Sequence, residues 1–425
     1  MKANEWIRKL NEGALAKYAH LYDDIPEQSA RYIEAIRAFT ELYGEDRDIL
    51  LFSVPGRSEI SGNHTDHNHG RVLAGAIDRD IIAVAAKDDG GAIRVKSEGY
   101  DEDAVSLADC DDPSKTADYS SASLIAGTVS GFAARGYAVG GLVAYTTTRV
   151  LKGSGLSSSA AFEVMIGNML SHFYNGGKIA NEELAKIAQY AENVYFGKPC
   201  GLMDQMACAV GGFVAIDFKD PKEPVNEPLD FSLSENGYAL CIINTGGNHA
   251  DLTPDYAAVP AEMKAVAAYF GKEVLREVSF SQLLENLPIL RTVTNDRAIL
   301  RALHFVRENE RVAAQTEALR QGDIAEFFKG VLASGDSSYK YLQNVYTTKN
   351  PEEQGLSLAL AITEAVLSGK GCAWRVHGGG FAGTIQAFVK RELAEEYCAV
   401  MDSVFGEGAA MRLNVRPEGA VAITL

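Results

Sequence analysis

Two glycines and three consecutive serines stand together at residues 152–161, immediately before a segment with helical periodicity. Gly153 and Gly155 allow backbone amides to crowd around an anion, and the serines at 157–159 would begin the helix. The common phosphate loop ends in Gly-Lys-Ser/Thr, which is absent here, so the donors would be backbone amides and hydroxyls. This pattern predicts a phosphate-binding loop, and the alternative is a Gly/Ser loop that only caps an alanine-rich helix.

A dense run of polar residues fills positions 55–70, between two apolar segments. Arg57 is followed there by Asp66 and by three histidines. The histidines have no cysteine partner and lack the spacing of zinc ligands, which leaves a transition-metal site as a minor alternative. A solvated turn between strands is the other alternative. Carboxylate, imidazole and amide groups suit the hydroxyls of a sugar, so the run is interpreted as a sugar-binding loop.

Two acidic residues, Glu192 and Asp204, stand twelve positions apart in a third segment. Glu192 belongs to a predicted helix, and the alternative for it is an exposed glutamate on that helix. Asp204 has the apolar neighbours Leu202 and Met203, and a carboxylate in such surroundings needs a partner or a function. Mg²⁺ binds few protein oxygens and shares the phosphates of a nucleotide. The pair could therefore place one acid at a magnesium ion and the other at a hydroxyl.

Three consecutive glycines at 378–380 stand between two apolar segments of the second half. They permit close approach of the backbone, either to a ligand or to a neighbouring loop. Taken in their order along the chain, 55–70, 152–161, 192–204 and 378–380, the four segments resemble the signatures of the GHMP kinases, the family of galactokinase, homoserine kinase, mevalonate kinase and phosphomevalonate kinase. The run at 55–68 is most similar to the galactokinase pattern Pro-Gly-Arg-Val-Asn-Leu-Ile-Gly-Glu-His-Thr-Asp-Tyr-Asn, and the resemblance covers nearly the whole chain.

The resemblance implies a role for each of these residues. The loop would wrap the phosphates of ATP, while Ser159 and Glu192 would hold Mg²⁺. Arg57 would stabilise the transferring phosphoryl group, and Asp204 would face the attacking sugar hydroxyl. The implied nucleotide-binding residues are Gly153, Ser154, Gly155, Leu156, Ser157, Ser158 and Ser159. The implied sugar-binding residues are Asn63, His64, Asp66, Asp204 and Tyr256.

The chain departs from the galactokinase pattern at two positions of the first signature. Asn63 stands where the pattern has glutamate, and His67 stands where it has tyrosine. That glutamate is expected to meet the hydroxymethyl end of galactose, so its replacement makes the substituent at C6 the open question. Related kinases of galacturonate and arabinose also lack the glutamate. In the glycine-rich segment, His377 and Ala382 replace the usual threonine and glycine.

The activity that the resemblance implies is ATP-dependent phosphorylation of the anomeric hydroxyl of galactose, with Mg²⁺, to give galactose 1-phosphate. The alternative substrate is a sugar that differs at C6, galacturonate or L-arabinose. Two alternatives belong to other classes: a sensor that binds sugar and ATP without turnover, and a kinase of a non-sugar alcohol. The intact Ser-Ser-Ser-Ala segment disfavours the sensor, and the His-Thr-Asp signature disfavours the non-sugar kinase.

The composition of the 425 residues excludes several classes of partner. Acidic residues number 57 against 40 basic ones, and a net charge of −17 would repel nucleic acids and anionic lipid surfaces. The six cysteines include no Cys-x-x-Cys pair, and no apolar run resembles a signal peptide or a membrane span. We expect a monomeric cytoplasmic protein that binds a small-molecule sugar and has no nucleic-acid or membrane partner.

These functional segments need strands and helices to position them. Helices are predicted over residues 1–45, 121–135, 162–173 and 181–196 and at several places between 256 and 369. Strands are predicted over residues 49–54, 72–76, 81–86, 93–97, 141–147, 238–244, 372–376 and 385–389, with the first one ending at Pro55 and Gly56. Residues 217–228 carry three prolines and alternating charge, which is typical of a connector.

The order of these elements predicts an α+β fold. The chain is longer than the size at which a single core usually stops growing, so two domains are expected. We place an N-terminal sugar- and ATP-binding domain at 1–220 and a C-terminal domain at 221–425. The resemblance implies that the first is like domain 2 of ribosomal protein S5 and that the second is a ferredoxin-like α/β sandwich.

Overall fold

The computed structural model describes residues 1–22, 24–117, 119–150, 155–198, 200–247 and 252–424. The α-helices are α1 Ala3–Asn11, α2 Ile25–Tyr43, α3 Ser121–Ala134, α4 Ser158–Tyr174, α5 Asn181–Tyr190, α6 Met203–Val210, α7 Thr253–Tyr269, α8 Phe280–Val293, α9 Asp296–Arg320, α10 Ile324–Ser337, α11 Gly355–Leu367 and α12 Arg391–Phe405. The strands are β1 Ile49–Ser61, β2 Arg71–Lys87, β3 Ala92–Ser97, β4 Glu102–Ser106, β5 Leu142–Thr148, β6 Phe213–Asp217, β7 Val225–Leu229, β8 Tyr238–Asn244, β9 Ala373–Val376, β10 Thr384–Lys390, β11 Ala410–Leu413 and β12 Val421–Ile423. This mixture of helices and largely antiparallel sheets confirms the α+β class.

The larger sheet has the strand order β12-β1-β2-β5-β3-β4, and β6 extends it by pairing with both β2 and β7. Side chains along β2 alternate between its two faces, as the pleat of a strand requires. Ala83 and Ala85 join the core under helices α3 to α6. Ile82 and Val84 join a second core, under α1 and α2. The sheet is therefore buried on both faces.

The smaller sheet has the antiparallel order β11-β8-β10-β9. One of its faces is covered by α11 and α12. From the other face, Leu240 and Phe388 pack with Phe327 of α10 in the same core that lies under the larger sheet. Helices α7, α8 and α9 enclose a separate apolar cluster. A continuous apolar core thus joins the two sheets.

Strand β1 continues through the proline and glycine at which it was predicted to end. The pairing of β1 with β2 runs from Ile49 to Ser61, with register shifts between Pro55 and Arg57 and between Glu59 and Ser61. A proline is compatible with a strand at such an irregularity, because the ladder is already interrupted there. The prediction that the strand stops at residue 55 is wrong, and Arg57 projects from a rigid strand.

Strand β2 likewise joins the two strands predicted at 72–76 and 81–86. Polar residues between them interrupt the apolar pattern, but one of these, Asp80, is buried at 1% exposure. Asp80 accepts hydrogen bonds from Arg31 and from Ser53, and Arg416 approaches it within 3.4 Å. A buried carboxylate with this many partners can stand in the middle of a strand.

The two sheets divide the chain close to residue 220, with two exceptions. Residues 217–228 were predicted as a connector, yet residues 225–228 belong to β7, which pairs with β6 in the larger sheet. Near the other end of the chain, β12 also joins the larger sheet, beside β1. The division into domains at 1–220 and 221–425 stays a prediction, and these strands place parts of the second segment in the first sheet.

His377, in the turn between β9 and β10, connects the two sheets through polar contacts. One ring nitrogen lies 3.1 Å from Ser58 Oγ on β1, and the other lies 2.8 Å from Thr384 Oγ1 on β10. Burial, helped by the nearby positive charges of Arg57 and Arg375, lowers the pKa of His377 to about 3. Between about pH 3 and pH 6.5 the imidazole is therefore neutral in the folded protein and charged in the unfolded chain.

This difference predicts a pH dependence of stability that His377 carries. Below pH 6.5 the unfolded chain binds a proton that the folded protein does not, so stability falls with decreasing pH. Between pH 7 and pH 5 the loss due to this residue should be about 2 kcal/mol. We expect urea unfolding of His377→Gln to show a pH dependence weaker than that of the unsubstituted protein by this amount. Parallel pH curves for the two proteins would contradict the prediction.

Candidate active site

Arg57 and Asp204, separated by 147 positions in sequence, form a doubly hydrogen-bonded ion pair. Nε and Nη2 of Arg57 each donate to one carboxylate oxygen of Asp204, both at 2.7 Å. Arg57 comes from β1 and Asp204 from the first turn of α6. The planar fork of a guanidinium matches a carboxylate in this arrangement, which fixes both side chains.

Asp204 is held in its ionised form by this surrounding. Burial alone would raise the pKa of its carboxyl, but the charge of Arg57 and the hydrogen bonds from Arg57 and Ser157 outweigh burial and lower it. The three bonds occupy three of the roughly four acceptor positions of a carboxylate. Asp204 can therefore accept one further hydrogen bond without giving up its partners.

The loop before α4 closes over the same ion pair. Arg57 donates from its backbone to the carbonyl of Leu156 at 3.0 Å and from Nη1 to the carbonyl of Gly155. Ser157 adopts a left-handed backbone with φ of 59°, unusual for a residue other than glycine, and its hydroxyl donates to Asp204. Ser158 follows as the first residue of α4. Backbone N–H groups at such a helix start favour an anion.

Of the predicted nucleotide-binding residues, the structure brings Gly155, Leu156 and Ser157 to the ion pair. Gly153 and Ser154 lie outside the described residues. The imidazole of His377 supports this loop from the second half, because a Cβ atom placed on Gly155 would lie 3.2 Å from its Cε1. With φ of 74° at Gly155, a side chain is disfavoured there for a second reason.

Ser159 and Glu192, the predicted metal ligands, are in contact. The hydroxyl of Ser159 lies 3.2 Å from one carboxylate oxygen of Glu192, and Lys198 Nζ lies 3.0 Å from the same oxygen. The other oxygen accepts from Gln205 at 2.6 Å. Glu192 is 1% exposed and sits in a π-helical turn, Ala191–Phe196, that continues α5. Hydroxyl and carboxylate oxygens are ligands that Mg²⁺ accepts, so this pair fits a magnesium ion.

The sequence interpretation missed a second carboxylate behind Glu192. Glu163 of α4 is fully buried, and Gln205 Nε2, which donates to Glu192, also lies 3.3 Å from its Oε2. Burial and the negative charge of Glu192 raise the pKa of Glu163 well above its usual range. Its position on the apolar face of α4, one turn after Ser159, was the available signal.

The predicted sugar-binding residues meet the triple-glycine turn. Asn63 Nδ2 donates to the carbonyl of Gly378 at 2.6 Å, and His64 Nε2 to that of Gly379 at 2.9 Å. The hydroxyl of Tyr256 donates to the carbonyl of Gly380 at 2.8 Å. The glycines thus permit a close approach to neighbouring side chains, which ties the loop after β1 to the second half of the chain.

His64 and Asp66 face the rest of the site in different ways. Burial lowers the pKa of His64 to about 4, so the ring is neutral near pH 7 and its Nδ1 is an acceptor while Nε2 donates. An Oδ atom of Asp66 lies 3.0 Å from the position that a Cβ on Gly201 would take. Gly201 stands three positions before Asp204, so Asp66 lies beside the segment that carries Asp204.

Asn63 is placed differently from the other predicted sugar ligands, because its side chain has no exposure. Besides Gly378, its amide donates to Glu59 at 2.9 Å and accepts from Asn344 at 2.7 Å. The backbone carbonyl of Asn63 accepts a hydrogen bond from His304 Nε2 at 2.9 Å. These contacts use the amide within the protein, which argues against direct selection of the sugar by Asn63. The sequence interpretation did not single out Glu59. The signal was available, because the galactokinase pattern has asparagine where this chain has Glu59.

Among the described residues, no cluster of three or more histidine, cysteine, aspartate or glutamate side chains is arranged to hold a metal ion. In the same part of the chain, no helix combines the length and apolar character needed to cross a bilayer. The proposed magnesium ligands Ser159 and Glu192 are a hydroxyl and a single carboxylate. A search for clusters of three such side chains therefore does not test them.

Comparison with known proteins gives concordant matches along the chain. The N-terminal domain of the GHMP kinases matches residues 123–212, and the galactose-binding signature of galactokinases matches residues 37–87. A galactokinase from Streptomyces coelicolor is 30% identical over 370 residues, which cover 86% of this chain and 91% of that protein. A galactokinase from Homo sapiens is 29% identical over 410 residues, covering 94% and 98%.

Solved structures show the same fold. Lactococcus lactis galactokinase complexed with galactose superimposes with a TM-score of 0.76 at 22% identity, covering 91% of this chain and 98% of that one. A mevalonate kinase superimposes with a TM-score of 0.61 at 15% identity, covering 87% and 100%. The predicted GHMP-kinase architecture is thereby confirmed. Arg57, Ser159, Glu192 and Asp204 lie within the matched segments. Because the similarity to a galactokinase also extends over most of both chains, this protein belongs to the galactokinase family of the GHMP kinases.

Proposed function

We propose that the protein transfers the terminal phosphoryl group of ATP to the anomeric hydroxyl of galactose, giving galactose 1-phosphate and ADP. The observation that carries this proposal is the Arg57–Asp204 ion pair at the start of α4, with the loop of residues 155–157 closed over it. Phosphoryl transfer requires alignment and charge neutralisation more than covalent participation by the protein, and this arrangement supplies both.

Asp204 acts in this proposal as an orienting anion. A carboxylate with a lowered pKa is a weak base at neutral pH, but it accepts a hydrogen bond strongly. Its remaining acceptor position would orient the sugar hydroxyl toward the phosphorus atom. In a loose transition state the proton leaves late, so a strong base is not required.

Arg57 stabilises the charge of the transferring group. Its contacts with Asp204 and Gly155 use three of the five N–H groups of a guanidinium. The other two can donate to the equatorial oxygens of the phosphoryl group, where negative charge is spread in the transition state. The start of α4 adds backbone N–H groups that favour an anion.

Ser159 and Glu192 are the residues that would hold Mg²⁺. When bound, the ion neutralises the charge of the nucleotide phosphates. Gln205 holds the second oxygen of Glu192. Lys198 Nζ contacts the first oxygen, which faces Ser159, and it would have to move away when the ion binds there. Because Gln205 follows Asp204 in α6, the same short helix positions both the metal-binding carboxylate and the sugar-orienting one.

His64 and Asp66 are proposed to bind the sugar. The Nδ1 atom of His64 would accept from one ring hydroxyl, and Asp66 would accept from neighbouring hydroxyls beside Gly201. Tyr256, whose hydroxyl is bonded to Gly380 and whose ring packs edge-on against Phe381, would contact the sugar with its ring. The alternative substrates, galacturonate and L-arabinose, differ from galactose only at C6, so both are compared with galactose in the test below.

The direct test is ATP consumption by the purified protein with galactose, L-arabinose, galacturonate, N-acetylgalactosamine and glucose, and without sugar. We expect turnover only when a galactose-like sugar is present, and phosphate on the anomeric carbon of the product by NMR. ATP turnover without sugar, or with homoserine or mevalonate in place of sugar, would overturn the proposal. Binding of sugar and ATP without turnover would identify the sensor instead.

Replacement of Asp204 by asparagine should separate catalysis from binding. The amide keeps the shape of the side chain but removes the negative charge that orients the hydroxyl and neutralises Arg57. We expect kcat to fall by about 10²–10⁴-fold, with a much smaller change in the sugar dissociation constant measured by calorimetry. Asp296→Asn, in an exposed Arg–Asp pair between α8 and α9, is the matched control and should leave both unchanged. Near-normal turnover by the Asp204 variant would remove Asp204 from the mechanism.

Replacement of Glu192 by glutamine should raise the Mg²⁺ requirement. The amide retains one oxygen but loses the charge that attracts the cation, so the Mg²⁺ concentration for half-maximal activity should rise at least about tenfold. The measurement is a Mg²⁺ titration of the initial rate at saturating ATP and sugar. Glu182→Gln, an exposed change at the start of α5, serves as the control. An unchanged titration would exclude Glu192 as a ligand.

A further inference from the structure

Two cysteine side chains, Cys241 and Cys398, meet between the smaller sheet and α12, and neither belongs to the residues proposed to bind ATP, Mg²⁺ or the sugar. Their sulfur atoms lie 3.9 Å apart, although the residues are 157 positions apart in sequence. Cys241 is fully buried on β8, and Cys398 is partly exposed on α12. Both are free thiols. The fold thus brings together two thiols from distant segments of the chain.

The packing of α12 on the smaller sheet holds the two sulfur atoms in this contact. The pleat places Cys241 on the same face of β8 as Ile243, and both join the core that lies under α12. Tyr397, immediately before Cys398, is fully buried in that core, and its hydroxyl lies 2.8 Å from that of Thr363 on α11. These contacts fix the rotation of α12 about its axis, so the approach of the sulfur atoms is a property of the packed core.

The surroundings make the two thiols chemically unequal. The hydrogen bond from the Cys241 thiol lowers the pKa of Cys398 more than burial and the charge of Asp402 raise it. Arg412, which stands directly opposite Cys241 on β11, acts in the same direction as that hydrogen bond. The same contact between the sulfur atoms, together with burial, raises the pKa of Cys241. Because the thiolate is the reactive form and Cys398 is also the more exposed residue, a small oxidant reacts first at Cys398.

We propose that Cys241 and Cys398 are a redox modification site, at which a reversible disulfide fastens α12 to β8. The sulfur atoms of a disulfide are about 2.05 Å apart, so the two must approach by about 2 Å. Rotation of the two side chains about their Cα–Cβ bonds supplies a displacement of this order. The modification lies outside the proposed function, and its test requires neither sugar nor nucleotide.

The oxidant is a peroxide, and the reaction has two steps. The thiolate of Cys398 attacks one oxygen of hydrogen peroxide, the O–O bond breaks, and hydroxide leaves behind a sulfenic acid. The sulfur of Cys241 then attacks the sulfur of the sulfenic acid. The S–S bond forms as the S–O bond breaks, and the departing hydroxide takes the proton of the Cys241 thiol as water. Two thiols lose two electrons in total, and one peroxide is reduced to two molecules of water.

The bond would stabilise the folded protein by constraining the unfolded chain. It would close a loop of the 157 positions that separate the two cysteines, and the loss of unfolded-chain entropy grows with the length of the loop. Strand β8 lies inside the smaller sheet, between β11 and β10. The link would therefore tie α12, the last helix of the described chain, to an inner strand.

A third cysteine of the same core, Cys372, provides a matched control. It stands immediately before β9, and β10 separates β9 from β8 in the sheet. Its sulfur lies 3.9 Å from the carbonyl oxygen of Lys370. Cys372→Ser removes a buried thiol from the same apolar layer and leaves the contact between Cys241 and Cys398 in place.

The test is oxidation of the purified, fully reduced protein with a small molar excess of hydrogen peroxide. After the remaining thiols are alkylated, mass spectrometry of an unreduced digest should find one peptide pair joined through Cys241 and Cys398. The thermal midpoint of the oxidised protein should exceed that of the reduced protein by at least about 3 °C. Dithiothreitol should remove both the joined peptides and the rise.

The variants Cys398→Ser and Cys241→Ala should each abolish the joined peptides and the rise, whereas Cys372→Ser should keep both. Each variant is compared with its own reduced form, so a lower starting midpoint of Cys241→Ala does not enter the result, and Cys398→Ser decides the matter if Cys241→Ala does not fold. The proposal is overturned if peroxide joins Cys398 to Cys372 or to a second molecule, or if it leaves Cys398 only as an oxygen acid. A disulfide between Cys241 and Cys398 that does not raise the midpoint would also overturn it, because α12 would then gain no attachment to β8.

Discussion

The ion pair between Arg57 and Asp204 is the interaction on which the arrangement of the site depends. A guanidinium and a carboxylate with this little exposure are costly to bury separately, and each makes the burial of the other tolerable. The pair joins β1 to α6 across a large separation in sequence. Around it the chain accepts unfavourable local geometry, since Ser157 keeps a left-handed backbone in order to donate to Asp204.

The region between the two sheets combines an apolar core with buried polar contacts. Under the larger sheet, apolar side chains continue without interruption to Phe388 of the smaller one. Nearer the site the contacts become polar: Glu308 of α9 accepts from Ser61 and from the backbone of Gly62. Burial would raise the pKa of Glu308, but the charge of Arg311 and the neighbouring His304 and Arg375 outweigh it and lower the pKa to about 2. Polar contacts are directional, so they fix the relative position of the segments that they join. Apolar packing alone fixes that position less strictly.

The motifs could be predicted from sequence because each depends on local chemistry. The chemistry of a glycine and serine loop before a helix does not depend on where the fold places it, and the same is true of a carboxylate among apolar neighbours. Ser159, Glu192 and Asp204 are found near one another as expected. The class of fold followed from the order of helical and strand periodicities. The family resemblance supplied the roles that spacing alone left open.

The errors arose where a long-range partner decides the local structure. Pro55 does not end β1, because β2 pairs with the strand on both sides of the irregularity. Asp80 interrupts an apolar pattern but is neutralised by Arg31, which is distant in sequence. Asn63 lies in a polar segment that reads as an exposed loop, but its side chain is buried. Asn344 and the backbone of the glycine turn contact it there. None of these partners could be inferred from the residues near each position.

The pairing of β12 with β1 also determines the order in which the protein can mature during synthesis. Residues 421–423 form the outer neighbour of the strand that carries Arg57, although they are translated about 370 positions later. Until they emerge from the ribosome, one edge of β1 stays open to pairing with other chains. In a nascent chain, residues 51–53 would therefore gain this protection against aggregation only after residues 421–423 have been made.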